Sequence, residues 1–178
     1  MMIFEDLDLR KPLQNAISEL GFIKLTPIQQ KSFSVVRSGS DVVGIAQTGT
    51  GKTLAYMLPI LQDLKYSKID SPRVLVLVPT RELVIQVVDR IKEFSIYMNI
   101  RVLGVYGETN INTQKKACSL GVDIIVATPG RLYDLVACRS LHLKTVKQLV
   151  IDEVDVMLDL GFRVHLANIF SILKDRRQ

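Results

Sequence analysis

Short apolar runs rich in valine and isoleucine recur along the chain, and segments with helical spacing separate them. The runs are DVVGIA (41–46), RVLVLV (73–78), RVLGVY (101–106), DIIVA (123–127) and QLVI (148–151). They are nearly continuous rather than alternating, which is typical of strands covered on both faces. The helical segments among them are GKTLAYMLPILQDL, RELVIQVVDRIKEF, NTQKKACSL and GRLYDLVA. This order predicts an α/β fold, a parallel sheet sandwiched by helices.

Two further helices are predicted before the first run. KPLQNAISELG (11–21) and PIQQKSFSVVRSG (27–39) each end near a glycine, as a helix carboxyl end often does. No repeat, low-complexity tract or Gly/Ser-rich linker interrupts the chain. We therefore expect a single domain over 1–178, with a helical preface at 1–40 and an α/β core at 41–178.

Composition narrows the class of protein only a little. Of 178 residues, 48% are hydrophobic, which is enough for a packed core. The net charge of +5 fits an acidic partner such as nucleic acid but does not identify one. No run reaches membrane-spanning length, and the acidic amino terminus does not resemble a signal peptide, so the cytoplasm is the expected compartment.

The segment AQTGTGKT (46–53) follows a predicted strand and opens a predicted helix, which is the context of a phosphate-binding loop. Gly49 and Gly51 allow successive backbone N–H groups to point at phosphate oxygens, and the helix amino terminus adds partial positive charge. Lys52 is a cation for the β- and γ-phosphates, and Thr53 offers a hydroxyl to Mg²⁺. Ala46 stands where the strict pattern has glycine. The alternative is an ordinary glycine-rich turn between strand and helix.

Three carboxylates follow the last apolar run, in DEVD (152–155). Mg²⁺ on nucleotide phosphates needs only one or two protein carboxylates, and Asp152 at a strand end suits that role. Glu153 is placed to orient or deprotonate an attacking water. The alternative interpretation is a solvated acidic turn.

Taken together, these segments resemble the DEAD-box RNA helicases over the whole chain. GFIKLTPIQ (21–29) is similar to that family's adenine-reading Q motif, AQTGTGKT to motif I and PTREL (79–83) to motif Ia. TPGR (128–131) is similar to motif Ib, and DEVD stands where DEAD would. The resemblance implies a RecA-like ATP-binding domain of an ATP-dependent RNA helicase, with ATP and Mg²⁺ as cofactors and RNA as partner.

The resemblance also implies a role for each matching residue. Gln29 would read adenine, Phe22 would stack on the ring and Phe4 would brace that loop. Lys52, Asp152 and Glu153 would serve catalysis, and Asp155 would couple the site to a later Ser-Ala-Thr motif; Thr53 and Asp152 would hold the metal. The implied nucleotide-binding residues are Phe4, Phe22, Gln29, Ala46, Gln47, Thr48, Gly49, Thr50, Gly51, Lys52 and Thr53.

RNA contacts are expected from the segments that follow the second, third and fourth apolar runs. From the residues alone, capped helix starts are the better interpretation of PTREL and TPGR. The resemblance implies that both segments bind the sugar–phosphate backbone of RNA. Such contacts fix the position of the protein on RNA but do not read the base sequence. The implied RNA-binding residues are Pro79, Thr80, Arg81, Gly107, Thr128, Pro129, Gly130 and Arg131.

The sequence departs from the family pattern at several positions. Leu25 stands where proline is usual, and Val154 replaces the alanine of DEAD without removing chemistry. Glu108 replaces the second glycine of a pair, so we expect weaker RNA contact at that loop. The chain reaches Gln178 before any Ser-Ala-Thr motif or second helicase domain. We therefore expect little hydrolysis from this chain alone, and a sheet completed by rearrangement, strand exchange or self-association.

Two other functions stay open at this point. A DNA helicase or translocase would use the same ATPase residues, although GFIKLTPIQ argues against it. A nucleotide-gated RNA-binding module without turnover would need PTREL and TPGR but not the Lys52, Asp152 and Glu153 set.

Overall fold

The computed structural model describes residues 2–47, 49–173 and 178, and these residues form two compact units. The N-terminal unit contains 2–66, 89–99 and 178, and the sheet unit contains 67–88 and 100–173. The helices are α1 (Lys11–Glu19), α2 (Pro27–Arg37), α3 (Lys52–Asp63), α4 (Arg81–Phe94), α5 (Ile111–Ser119), α6 (Pro129–Ala137), α7 (Val154–Asp159) and α8 (Arg163–Ile172). The strands are β1 (Val74–Leu77), β2 (Val102–Val105), β3 (Ile124–Ala127) and β4 (Gln148–Ile151), and a 3-10 turn covers Phe4–Asp6.

The sheet unit is built on four parallel strands in the order β2-β3-β1-β4. Leu77 of β1 is level with Ala127 of β3 and with Ile151 of β4. Every residue of β1 and β3 is buried, because these strands are central and covered on both faces. The predicted parallel sheet flanked by helices is confirmed, and the strand bounds agree with the apolar runs to within a residue.

Helices cover both faces of this sheet. On one face, Leu75 and Leu77 of β1 and Ile125 of β3 belong to a buried cluster that includes Leu132 of α6 and Ile169 of α8. On the other face, α4 lies so near β2 that a side chain on Gly104 would contact it. A Cβ there would be 2.9 Å from a methyl of Val84 and 3.1 Å from one of Val88. Glycine is therefore the residue that lets α4 pack closely.

The N-terminal unit is helical in the described part of the chain. The buried face of α1 carries Leu13, Ala16 and Ile17, which is the i, i+3, i+4 spacing of an amphipathic helix. At the start of α2 the Gln29 side chain accepts a hydrogen bond from the backbone N–H of Thr26 at 2.9 Å, one half of a capping box. The helices α1 and α2 end near the predicted glycines. Gly21 and Gly39 adopt φ of 73° and 79°, the left-handed conformation that commonly follows a helix.

The predicted strand over DVVGIA (41–46) is wrong. Residues 41–47 contain no strand, and Val43 and Ile45 are 92% and 94% exposed. A strand needs a hydrogen-bonding neighbour, and the sheet of the described residues consists of β2, β3, β1 and β4 without 41–46. The apolar pattern is typical of a strand, but no strand among the described residues pairs with this segment.

Candidate functional site

The segments predicted to contact RNA follow three adjacent strands of the sheet unit at the same edge. Pro79 comes just after β1, Gly107 after β2 and Thr128 after β3. The register that pairs Leu77 and Val105 with Ala127 brings these strand ends level. In parallel sheets this carboxyl edge is where ligands bind. The sheet topology thus brings together three segments that are spread over about fifty residues of the sequence.

A groove of about 440 Å³ lies at this edge. It is lined by seven of the eight predicted RNA-binding residues, all but Pro129. Its lining residues are Pro79, Thr80, Arg81, Glu82, Gly107, Glu108, Thr128, Gly130, Arg131, Asp134 and Phe162.

Two helices begin in this groove. α4 starts at Arg81, where the hydroxyl of Thr80 accepts a hydrogen bond from the N–H of Leu83 at 3.3 Å. α6 starts at Pro129, with proline at the first position as its missing N–H permits. Both helix amino termini carry partial positive charge. These two helix amino termini therefore favour an anion such as a backbone phosphate.

The two arginines in the groove have different surroundings. Arg131 is 11% exposed and donates hydrogen bonds to the side chain of Gln114 at 2.9 Å and to the backbone oxygen of Thr109 at 3.1 Å. Its guanidinium thus ties α6 to the loop after β2. Arg81 is 44% exposed, and its guanidinium carbon lies 5.3 Å from the centre of the Tyr106 ring. Arg81 is the more accessible cation of the pair.

The predicted carboxylates lie at the end of β4. The N–H of Asp152 donates to the carbonyl of Leu77 at 2.9 Å, which continues the ladder between β4 and β1. Asp152 accepts a hydrogen bond on Oδ1 from the N–H of Glu153 at 3.1 Å. Glu153 has φ of 52°, a left-handed conformation that is uncommon outside glycine, and begins α7 as its N-cap. Asp155 is exposed in the first turn of α7. Backbone strain such as the left-handed conformation of Glu153 is concentrated at functional positions.

The glycine-rich loop is in the N-terminal unit and leads into α3. Gly49 and Gly51 have φ of 79° and 83°, so both use the left-handed region that glycine tolerates. Gly51 is the N-cap of α3, and Lys52 is the first helical residue. The hydroxyl of Thr50 donates to the carbonyl of Gln47 at 2.7 Å, which closes the turn between them.

Thr48 lies outside the described residues. Ala46 and Thr53 flank the described parts of the loop, and Thr53 is in the first turn of α3. A curled backbone with two left-handed glycines at a helix amino terminus fits a polyphosphate.

Gln29 contacts this loop directly. Its Nε2 donates to the carbonyl of Gly51 at 3.2 Å, and a Cβ on Gly51 would stand only 2.4 Å from that nitrogen. Its Oε1 accepts a hydrogen bond from the backbone N–H of Thr26. An amide has two N–H donors and two acceptor positions, so each end retains capacity for a second hydrogen bond. Gln29 is 4% exposed, and the reading of adenine by its amide stays a prediction.

The two predicted aromatic residues near Gln29 are neighbours. The rings of Phe4 and Phe22 have centroids 6.1 Å apart, and Phe22 lies 6.4 Å from Phe94. The N–H of Phe4 donates to the carbonyl of Ile23 at 3.0 Å, so the amino-terminal segment is bonded to the loop that carries Phe22. Phe4 is buried, whereas Phe22 is 37% exposed. Phe22 thus keeps an accessible surface on a braced loop.

Sequence reasoning missed several groove residues. Asp134 lies within 3.8 Å of Arg131 at i,i+3 spacing on α6, a signal that GRLYDLVA contained. Phe162, just before α8, lines the groove, and Tyr106, just after β2, packs against the guanidinium of Arg81; no role was predicted for either residue. The helices α7 and α8 were themselves not predicted.

The fold and these segments place the chain in the class of α/β domains that have a P-loop-type phosphate loop and an acidic strand end. A model of the family described as "DEAD/DEAH box helicase" matches residues 26–178. The chain belongs to this family.

Curated relatives and a solved structure agree with that assignment. The chain is 40% identical over 182 residues to DEAD-box ATP-dependent RNA helicase 30 of Arabidopsis thaliana, covering 100% of this chain and 31% of the relative. It is 40% identical over 176 residues to ATP-dependent RNA helicase DeaD of Escherichia coli K12, and the match covers 98% of this chain and 28% of that relative. A crystal structure of a hypothetical ATP-dependent RNA helicase from Sulfolobus tokodaii superposes with a TM-score of 0.87 at 36% identity, covering 95% of this chain and 49% of that one. The chain thus spans less than a third of these two curated relatives.

Two features are absent from the described residues. No helix in the described ranges is long and apolar enough to cross a membrane. No group of three or more His, Cys, Asp or Glu in the described part of the chain could hold a metal ion. A magnesium ion carried on nucleotide phosphates needs fewer protein ligands than that, so the predicted role of Thr53 and Asp152 stays a prediction.

Proposed function

We propose that this chain is the ATP-binding, RNA-contacting part of an ATP-dependent RNA helicase. The observation that carries the proposal is the groove at the carboxyl edge of the sheet. There the segments after β1, β2 and β3 meet, two helices present their amino termini, and Arg81 is accessible. Contacts of this kind bind sugar–phosphate backbone without reading bases.

For the nucleotide, the proposal assigns roles to residues of the loop and of the strand end. The backbone N–H groups around Gly49 and Gly51, with Lys52, would hold the phosphates, and Gln29 and Phe22 the adenine. Thr53 and Asp152 would hold Mg²⁺, Glu153 would activate water, and Asp155 would couple this site to the rest of the intact protein. Magnesium-bound ATP supplies a phosphoryl group whose transfer is helped chiefly by positioning and charge stabilisation.

In the intact protein, ATP and RNA would bind together with the help of a second RecA-like domain. The second domain would supply an arginine to the transferring phosphoryl group, an effect worth about 10³–10⁵ in rate in related chemistry. Hydrolysis by this chain alone is therefore expected to be slow. Closure on one RNA strand would separate a short duplex locally, and hydrolysis would release it.

The proposal extends to the exposed apolar segment of the N-terminal unit and the open strand edge of the sheet unit. Val43 and Ile45 lie almost wholly in solvent, and β4 is an edge strand of the sheet that the described residues form. Unpaired strand edges and exposed β-branched residues favour association between copies. We propose that the chain self-associates, with strand exchange as the geometry.

The test is ATPase activity of the full-length protein with and without RNA. RNA should stimulate hydrolysis, and Glu153→Gln should lower the rate by about 10²–10⁴-fold while nucleotide binding survives, as expected for loss of a general base. Lys52→Ala should weaken nucleotide binding itself. Stimulation by DNA and not RNA would support a DNA translocase. RNA binding gated by ATP without any turnover would support a binding module and contradict the helicase proposal.

A further inference from the structure

Arg81, the accessible cation of the groove, already has an anionic partner. Its Nη1 lies 3.9 Å from Oε2 of Glu108, and the face of Tyr106 holds the guanidinium from another side. Glu108 is 86% exposed, so its carboxylate stands in solvent at the mouth of the groove. An RNA phosphate that approaches Arg81 therefore also approaches this carboxylate.

The backbone keeps Glu108 in that position. Its φ is 62°, in the left-handed region where a glycine would sit without strain. The loop is fixed on either side of it, because Gln114 donates to the carbonyl of Tyr106 at 3.1 Å and Arg131 donates to the carbonyl of Thr109 at 3.1 Å. The carboxylate therefore projects from a held turn.

Charge in the groove is also unusual for a phosphate site. Its lining contains two arginines and three carboxylates, namely Arg81, Arg131, Glu82, Glu108 and Asp134. Each of the two arginines has one of these carboxylates within 4 Å. The chain as a whole carries +5, so its positive excess is not concentrated in this groove.

We propose that Glu108 is an internal competitor for the phosphate site at Arg81. RNA must displace the carboxylate to reach the guanidinium, which keeps the affinity of the groove low and weakens its salt dependence. The inference rests on the proposed function, since it concerns the same RNA-binding groove. It makes Glu108 a residue that sets RNA affinity, acting through Arg81.

The test measures binding of a fluorescent oligouridylate to the whole chain by anisotropy, over a range of salt concentrations. Glu108→Gln should tighten binding about three- to tenfold at low salt and steepen the slope of log K against log salt by about 0.7, the value for one more phosphate contact on a single strand. Glu108→Gly should give the same gain in affinity and a higher melting temperature, because it also relieves the left-handed backbone.

Glu93→Gln is the matched control. It removes an exposed carboxylate from an ion pair with Arg90 at 2.8 Å on α4, with the same change in net charge. It should leave RNA affinity unchanged. In an Arg81→Gln background, which should itself weaken binding, Glu108→Gln should add nothing.

The outcomes separate the inference from the function on which it rests. If Arg81→Gln weakens binding and Glu108→Gln has no effect, the competitor role is overturned while RNA binding stands. A gain that persists in the Arg81→Gln background would mean direct repulsion of RNA and would also overturn it. If neither the parent chain nor any variant binds RNA at low salt, the proposed RNA site itself is overturned.

Discussion

Asp123, which is 2% exposed, joins three strands at the edge of the sheet opposite the groove. Arg73, Arg101 and Asp123 directly precede β1, β2 and β3. The Asp123 carboxylate accepts from Nη2 of Arg73 at 2.9 Å, and from Nε and the backbone N–H of Arg101 at 3.0 and 2.9 Å. Burial acts to raise the pKa of Asp123, but the hydrogen bonds from Arg101 and Arg73 outweigh it and leave that pKa below its usual value.

Asp123→Asn should destabilise the fold by about 2–4 kcal/mol at pH 7, because two arginines lose a buried anionic partner. A carboxyl with a lowered folded pKa stabilises the fold above its unfolded pKa, whose ordinary value is 3.8. The difference between parent and variant should therefore stay constant from pH 7 to about pH 5 and shrink only below about pH 4. Urea unfolding across this range measures it.

Asp70→Asn is the control for that measurement. Asp70 also pairs with Arg101, at 3.0 Å, but its side chain is 77% exposed, so its loss should cost no more than about 0.5 kcal/mol. A stability difference for Asp123→Asn that already decays between pH 7 and pH 5 would contradict the lowered pKa.

Helix α3 contains a proline in its interior, and the neighbouring helix compensates for it. Pro59 has no N–H to donate to the carbonyl of Ala55 four residues earlier. The buried hydroxyl of Ser32, on α2, donates to that carbonyl at 2.8 Å. A side chain of one helix thus replaces a backbone hydrogen bond that the other cannot make.

Ser32→Ala should lower the free energy of unfolding by about 1–3 kcal/mol, because it leaves a buried carbonyl without this partner. In a Pro59→Ala background the N–H of residue 59 can donate to Ala55, so the cost of Ser32→Ala should fall below about 1 kcal/mol. A double-mutant cycle by chemical denaturation measures the coupling.

Ser38→Ala is the matched control, since its hydroxyl donates to the carbonyl of Val35 at 2.7 Å on the exposed end of α2. It should change stability by less than about 0.5 kcal/mol. Equal costs of Ser32→Ala in both backgrounds would show that the hydroxyl does not substitute for the missing N–H.

Among the helices and strands, the sequence predicts best those whose pattern is local. α4 matches the segment 81–94 at both ends because its apolar spacing is regular and its neighbours are turn residues. The strand predicted at 41–46 is wrong because strand formation depends on a hydrogen-bonding partner elsewhere in the chain, which a local pattern does not show. α7 and α8 were not predicted; α7 has only six residues and begins at the acidic motif, so it is too short to show a clear helical spacing.

For the molecule as a whole, the motifs predicted which residues meet at the groove, but not what those residues do there. Strand order brings 79–81, 107 and 128–131 together, which follows from parallel topology alone. The commitment of Arg131 to the loop after β2, and the pairing of Arg81 with Glu108, depend on side-chain packing that no spacing rule encodes.

Self-association is the prediction that belongs to this scale. β4 is an edge strand of the sheet in the described part of the chain, and the segment 42–45 exposes apolar side chains to solvent. We expect the chain to form concentration-dependent dimers or larger species in analytical ultracentrifugation. Val43→Lys with Ile45→Lys should shift the population to monomer, because charged residues oppose strand pairing.

Ile96→Lys, at a position 64% exposed on a different segment, is the control and should leave the distribution of monomers and larger species unchanged. If the parent chain stays monomeric at high concentration, exposed valine and isoleucine at 42–45 do not drive association. If Ile96→Lys dissociates it equally, the effect is one of net charge rather than of this segment.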